Sequence, residues 1–390
     1  MYLHNRRLPL APMANWATAQ GARTIAVFYS PNLGGSWHVH NTKMDPGPNR
    51  RLLHVFIGDP KQDLKDAVVA SGHIWAHIPW RSRRHLPGAV LKARRLIRQH
   101  GVDVVHGHGI EGTLTSLLAA TLTGVHERIH TRHHGTMHHE VGPRRALLAD
   151  RLVNRLSTRI IATCSGVRKS LLDLEGVSPA KIRVLEYRLG IEEFDDVLDE
   201  RVSAVRQRHD INPDRTVVGL ISRLVWWKGV EFAVAAFTDL LEPDPSALLV
   251  IAGGTGPHST TVEPLLRALP ADSVRIIDHE QDIAALYKTF DVCVHLPVTA
   301  GVEAWGQVYV ESMAAGVPLV CTRSGIGVDL LENGQNCLIV DYRNAEEVSQ
   351  ALETVLGDRE LADQLVHSGR RDIARYARTP DLNTFDAIYC

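Results

Sequence analysis

Short apolar runs alternate with amphipathic stretches from residue 100 onward. VDVVH (102–106), ERIHTRH (127–133), RIIAT (159–163) and KIRVLEYR (181–188) read as buried strands. Between them, GTLTSLLAATLTG (112–124) reads as a helix closed by Gly124, and RRALLADRLVNRLS (144–157) as a second helix. GVRKSLLDLEG makes a third, with Ser165 as its N-cap. An acidic, turn-rich stretch, LGIEEFDDVLDE (189–200), interrupts the series and reads as a linker. The alternation then resumes with strands at 216–222, 247–254, 274–279, 292–297, 318–322 and 337–341, and the last helical stretch spans 358–377. Parallel strands need a crossover between them, and a helix supplies it, so each series predicts a mostly parallel sheet with helices on both faces. The expected fold is α/β, with two doubly wound, Rossmann-like domains at 1–190 and 191–370 and a C-terminal tail at 371–390.

The first hundred residues have two readings. In one, RTIAVFYSPNLGGSW supplies a first strand and a glycine turn at Gly34 and Gly35; in the other, APMANWATAQG is the first helix and no strand precedes it. Pro46, Gly47 and Pro48 exclude a regular helix directly after the glycine turn.

A chain of 390 residues exceeds one ordinary core, in keeping with two domains. A net charge of −1 provides no global field for nucleic acid. Five cysteines without CxxC pairing read as reduced, mostly buried thiols of a cytoplasmic protein. No apolar run is long enough to span a membrane, and the N-terminus lacks the apolar segment of a signal peptide.

Ligands of parallel sheets bind at the carboxyl ends of the strands, so the residues following each strand carry the chemistry. After VVGLIS come Arg223 and Lys228, two cations at a strand-to-helix turn that make an anion site with the helix N–H groups. After LLVIAGG comes a glycine turn with Gly253, Gly254 and Gly256, which permits close backbone approach to a ligand but departs from the dinucleotide fingerprint at its third glycine. After VCVHLP, Glu303 falls in a loop, a helix begins near Gly306 or Gln307, and Glu311 lies one to two turns inside it. Cations, a glycine turn and carboxylates at successive ends of one sheet point to a phosphorylated, hydroxylated ligand, and a nucleotide-sugar fits.

GLISRLVWWKG, LLVIAGGTGP and EAWGQVYVESMAAGVPLV resemble the C-terminal domain of GT-B glycosyltransferases of family 4, and DVVHGHG and IHTRHH resemble strand ends of their N-terminal domain. The resemblance implies two Rossmann-like domains facing a cleft, a tail crossing back to the N-terminal domain, and sugar transfer from a nucleotide-diphosphate sugar with retention of configuration. It implies that Glu303 binds the reacting sugar, Glu311 the ribose, and the N–H groups around Gly306 and Gln307 the diphosphate, with Trp305 and Gly254 beside the donor. Arg223 and Lys228 would neutralise the leaving group, and His133 would contact the donor sugar, with His108 a further candidate. Gly34 and Gly35 stand where the family has a phosphate-approaching loop, although the helix expected after it is missing. The chain contains no Asp-x-Asp, in agreement with metal-independent transfer. No cofactor beyond the nucleotide-sugar co-substrate is expected. A sugar-nucleotide 2-epimerase and a non-catalytic nucleotide-sugar binder are the competing classes.

His134 and His138 have i, i+4 spacing near Glu140, but Gly135 interrupts it and no His-Glu-x-x-His is present, so no metal site is expected. RSRRHLPGAVLKARRLIRQHG (81–101) is basic throughout, with an apolar stripe of Leu86, Val90, Ala93 and Ile97. It reads either as an ordinary packed helix with a solvated basic face, or as a peripheral contact through 81–98 to an anionic membrane surface at its inner face or a lipid-linked acceptor. The acceptor is otherwise open, small molecules included. Nucleic acid is not expected, since no aromatic side chains interleave the charge.

Overall fold

The structure is a computed structural model that describes residues 22–31, 49–377, 386, 388 and 389. The chain forms two compact units that divide between Tyr187 and Arg188. The first holds a seven-stranded parallel sheet of β1 (Arg23–Tyr29), β2 (Arg50–Ile57), β3 (Ile74–Ile78), β4 (Val104–His108), β5 (Glu127–Arg132), β6 (Arg159–Ala162) and β7 (Ile182–Val184), in the order β3-β2-β1-β4-β5-β6-β7. β1 is buried on both faces, and its side chains alternate between two cores. Ala26 and Phe28 join Ala93, Ile97 and Leu117 on one side; Ile25, Val27 and Tyr29 join Leu64, Val68, Ile388 and Tyr389 on the other. This settles the N-terminal reading in favour of a first strand at 23–29, while the alternative helix, Gly34 and Gly35 lie outside the described residues. Two strands and a helix before residue 100 were not read from the sequence. β2 opens on two arginines and carries His54 inside its apolar run, so its buried character emerges only from its position between β1 and β3.

The described C-terminal residues belong to the first unit. Arg23 Nη1 donates to the Tyr389 carbonyl at 2.9 Å, Arg159 Nη1 to the Ile388 carbonyl at 2.6 Å, and the Tyr389 hydroxyl lies 2.8 Å from His106 Nδ1.

The second unit holds a six-stranded parallel sheet of β8 (Val217–Ile221), β9 (Leu248–Ala252), β10 (Val274–Ile277), β11 (Val292–His295), β12 (Leu319–Cys321) and β13 (Leu338–Ile339), in the order β10-β9-β8-β11-β12-β13. Residues 189–200 are not a free linker: Leu189 donates its N–H to the Tyr376 carbonyl, a 3-10 turn at Ile191–Phe194 buries Phe194, and Asp199 opens the helix Asp199–His209. The last helix, Arg359–Ile373, runs across residue 370, which places the end of this unit later than the sequence boundary. Ser165 is the first residue of its helix rather than the cap; Cys164 is the N-cap, and its Sγ accepts from the Val167 N–H at 3.5 Å. Both sheets reverse strand order once, between β1 and β4 and between β8 and β11. Such switch points leave a crevice at the carboxyl ends of the two central strands.

Candidate active site

In the second unit the loops after β8 and β11 are held together by the chain around Gly229. Its φ is +62°, and a Cβ there would stand 2.3 Å from the Leu296 carbonyl oxygen. The Val298 N–H donates to the Trp227 carbonyl at 3.1 Å. This close approach delivers Lys228, at the end of the 3-10 turn Trp226–Lys228, to Glu303, with Nζ 2.5 Å from Oε1. Both side chains are mostly buried, so each charge is compensated by the other. Sequence reasoning missed His295, the last residue of β11. It is 2% exposed, its Nε2 lies 3.7 Å from Glu303 Oε1, and burial together with the Lys228 charge holds it neutral, well below the ordinary imidazole range. The only hint in the sequence is one polar residue inside the apolar run VCVHLP.

Glu311 lies on the helix Gln307–Ala315. One of its oxygens accepts from Gln307 Nε2 at 2.5 Å and the other from the Tyr287 hydroxyl at 3.1 Å. Burial raises its pKa to about 7, against the opposing effect of these two hydrogen bonds. Gly306 is the N-cap of this helix, with φ +88°, and a Cβ there would meet the Tyr309 ring at 2.5 Å. The Tyr309 N–H donates to the Gly306 carbonyl at 3.2 Å, and the first turn of the helix carries the positive end of its dipole. Arg223 is exposed and makes no ion pair among the described residues.

Two sequence expectations change. Trp305 is 2% exposed and packs edge-on against Tyr376, with centroids 5.9 Å apart, so its ring belongs to the core rather than to a ligand surface. Gly254 faces Ile276, where a Cβ would meet Cγ2 at 2.4 Å, so it serves packing against β10. The β9 glycine turn instead supports the Arg223 loop: the Leu224 N–H donates to the Thr255 carbonyl and the His258 N–H to the Leu224 carbonyl.

In the first unit His108 ends β4 at the switch point, paired in register with Tyr29 of β1 and stacked on its ring at 5.5 Å. Its Nδ1 lies 3.0 Å from His133 Nε2, and His133 Nδ1 lies 2.7 Å from the Tyr187 hydroxyl. Burial raises the Tyr187 pKa far above the ordinary phenol value, so it stays protonated. Both His133 nitrogens are thus engaged by neighbours that orient the ring. Tyr187 was not identified from the sequence, and no local pattern marks it.

Behind His133, Arg132 is buried at 1% and bonded to Asp150 and Glu175, each 2% exposed. His134 and His138 contact Asp150, and His139 contacts Glu175. Burial disfavours the Asp150 carboxylate, but hydrogen bonds from His134 and His138 and the Arg132 charge hold it ionised well below the usual range. Burial lowers His134 to about 4. Glu140, the acid expected near this pair, bonds Thr136 instead.

Two doubly wound parallel sheets, each with its own switch point, are the architecture of the GT-B class of protein. The family models place it further: residues 202–372 match the "Glycosyl transferases group 1" model, and residues 51–186 match "Glycosyltransferase Family 4". The chain belongs to the family 4 glycosyltransferases. Among its relatives, a GDP-mannose-dependent alpha-(1-6)-phosphatidylinositol monomannoside mannosyltransferase of Mycobacterium tuberculosis is 28% identical, over 78% of this chain and 80% of that one. A D-inositol 3-phosphate glycosyltransferase of Acidothermus cellulolyticus is 26% identical, over 77% and 69%. The Anabaena HepE structure in complex with UDP-glucose superposes with a TM-score of 0.79 at 18% identity, covering 93% of this chain and 98% of that one. WaaG, a glycosyltransferase of lipopolysaccharide biosynthesis, does so with 0.70 at 14%, covering 94% and 99%.

Proposed function

We propose that the protein transfers a sugar from a nucleoside-diphosphate sugar to an acceptor hydroxyl with retention of anomeric configuration. The observation that carries this reading is the convergence of Lys228, Glu303 and the N-terminus of helix Gln307–Ala315 beside the β8–β11 switch point. Glu303 is assigned to the sugar hydroxyls and Glu311 to the ribose. Arg223, Lys228 and the helix N–H groups take the charge that develops as the diphosphate leaves, with no metal bound to it. The departing phosphate oxygen accepts the acceptor's proton, so no side-chain base is needed, and His133 positions the sugar. The relatives that use GDP-mannose make GDP-hexoses the first donors to try and phosphorylated or lipid-linked polyols the first acceptors.

The test is transfer from GDP-mannose and UDP-glucose without added Mg²⁺ or Mn²⁺, with the product anomer assigned by NMR. Retention in metal-free buffer is expected; an inverted product, or an absolute need for either ion, overturns the mechanism. Removing Lys228 or Arg223 should lower turnover by about 10²–10³.

Peripheral membrane contact through 81–98 belongs to the same reading. In the helix Leu86–Gln99, Ala89, Val90, Ala93, Leu96 and Ile97 are buried, leaving Lys92, Arg95 and Arg98 exposed beside the exposed Leu91. No helix among the described residues is long and apolar enough to cross a membrane. Co-sedimentation with anionic but not neutral vesicles, lost at high salt, is the expected result.

A further inference from the structure

We propose that His134, His138 and Asp150 form a binding site for one transition-metal dication of the zinc type, separate from the transfer chemistry. Their candidate ligand atoms, His134 Nε2, His138 Nδ1 and Asp150 Oδ2, all lie within 4.8 Å of one another. His134 Nε2 is 3.2 Å and His138 Nδ1 2.7 Å from Asp150 Oδ2. Around an ion with bonds of about 2.0–2.2 Å, tetrahedral geometry separates ligands by roughly 3.3–3.5 Å. The first distance nearly meets that spacing, and the second reaches it by a small outward movement of the His138 ring. The rings already converge, with centroids 4.1 Å apart.

The charge count around the triad gives an independent reason for a cation. Arg132 is the only guanidinium among the buried side chains of this network, and it faces two buried carboxylates, Asp150 and Glu175. One guanidinium cannot match two buried carboxylates, so the rest of their compensation comes from the three histidines bonded to them or from a cation held between those groups. Two imidazoles and one carboxylate are the donor set favoured by zinc-type ions over magnesium or calcium. Binding needs no oxidant: each imidazole gives up its hydrogen bond to Asp150 and turns a lone pair to the ion, and any proton displaced goes to solvent. His134 and His138 are each 20% exposed, so solvent supplies the remaining position as water. The ion would tie the segment after β5, which begins with His133, to the helix Arg144–Leu156 that carries Asp150.

The experiment is a titration of chelator-stripped, full-length protein with Co²⁺, followed by Zn²⁺. One equivalent of Co²⁺ should bind with the visible absorption of a low-symmetry four-coordinate site, and Zn²⁺ should displace it and raise Tm. His138→Ala should weaken Co²⁺ binding by about a hundredfold or more, since loss of an outer partner of a metal ligand alone costs about 10–100-fold. His139→Ala, which faces Glu175, should leave it unchanged. Asp150→Asn is avoided as the primary variant because it also strands Arg132. Absence of stoichiometric Co²⁺ binding by the wild type would show that the cluster holds only protons, and an equal loss in both variants would assign the ion to other ligands; either result overturns the proposal.

Discussion

Glu303 and Glu311 are chemically identical and near in sequence, yet their surroundings differ. Glu303 is compensated by Lys228, whereas Glu311 sits among neutral partners, Gln307 and Tyr287. Glu311→Ala is expected to weaken binding of the free nucleoside diphosphate, and Glu303→Ala to spare it; calorimetry giving equal losses would refute the assignment. The raised pKa of Glu311 also sets a pH dependence. Its folded value of about 7 lies above the unfolded value near 4.3, so the folded state binds more protons between them. Its contribution to stability is present in full below the unfolded value and is lost as pH rises through 7. Thermal unfolding of wild type and Glu311→Gln should therefore diverge across that window, with only the wild type losing Tm from this source. For His133, Tyr187→Phe removes the partner of Nδ1. Steady-state kinetics should show kcat down about tenfold with KM little changed, as expected of a displaced positioning group. A change confined to KM would argue against that role.

At the scale of elements, the start of helix Gln307–Ala315 depends on one backbone conformation. Gly306→Ala places a Cβ at positive φ and into the Tyr309 ring, so a loss of about 1–3 kcal/mol is expected in chemical denaturation. The same change should weaken diphosphate binding, because it displaces the N–H groups of the first turn. Unaltered binding in a destabilised variant would separate the helix start from the anion site. This element was legible in advance because its stop is written locally, in Gly316 with φ +70° and Pro318 just beyond. β2 was not, since two arginines and a histidine obscure its apolar pattern until its neighbours are known.

For the whole molecule, the described C-terminal residues tie the end of the chain to the first unit. Ile388 and Tyr389 are buried in the core that contains Ile25 and Leu64, and the Tyr389 hydroxyl lies against His106. Truncation after residue 377 should lower the stability of the first unit, with the aromatic side chain alone worth about 3–5 kcal/mol. Tyr389→Phe should cost about 1 kcal/mol, the worth of one hydrogen bond. Calorimetry of the truncated chain showing an unchanged first transition would contradict this role.

The sequence by itself determined the alternation of strands and helices from residue 100 onward, the glycine-capped helix ends, and the placement of Arg223, Lys228, Glu303 and Glu311 after strands. These features are local: periodicity, caps and turn residues act over a few positions. Only the tertiary structure decided that Lys228 pairs with Glu303, that His295 and Tyr187 flank the proposed site residues, that Trp305 turns inward, and that Asp150 rather than Glu140 meets His134 and His138. Those partnerships join side chains from different strand ends and helices. Strand order and crossover geometry set them, and no spacing along the chain encodes that order.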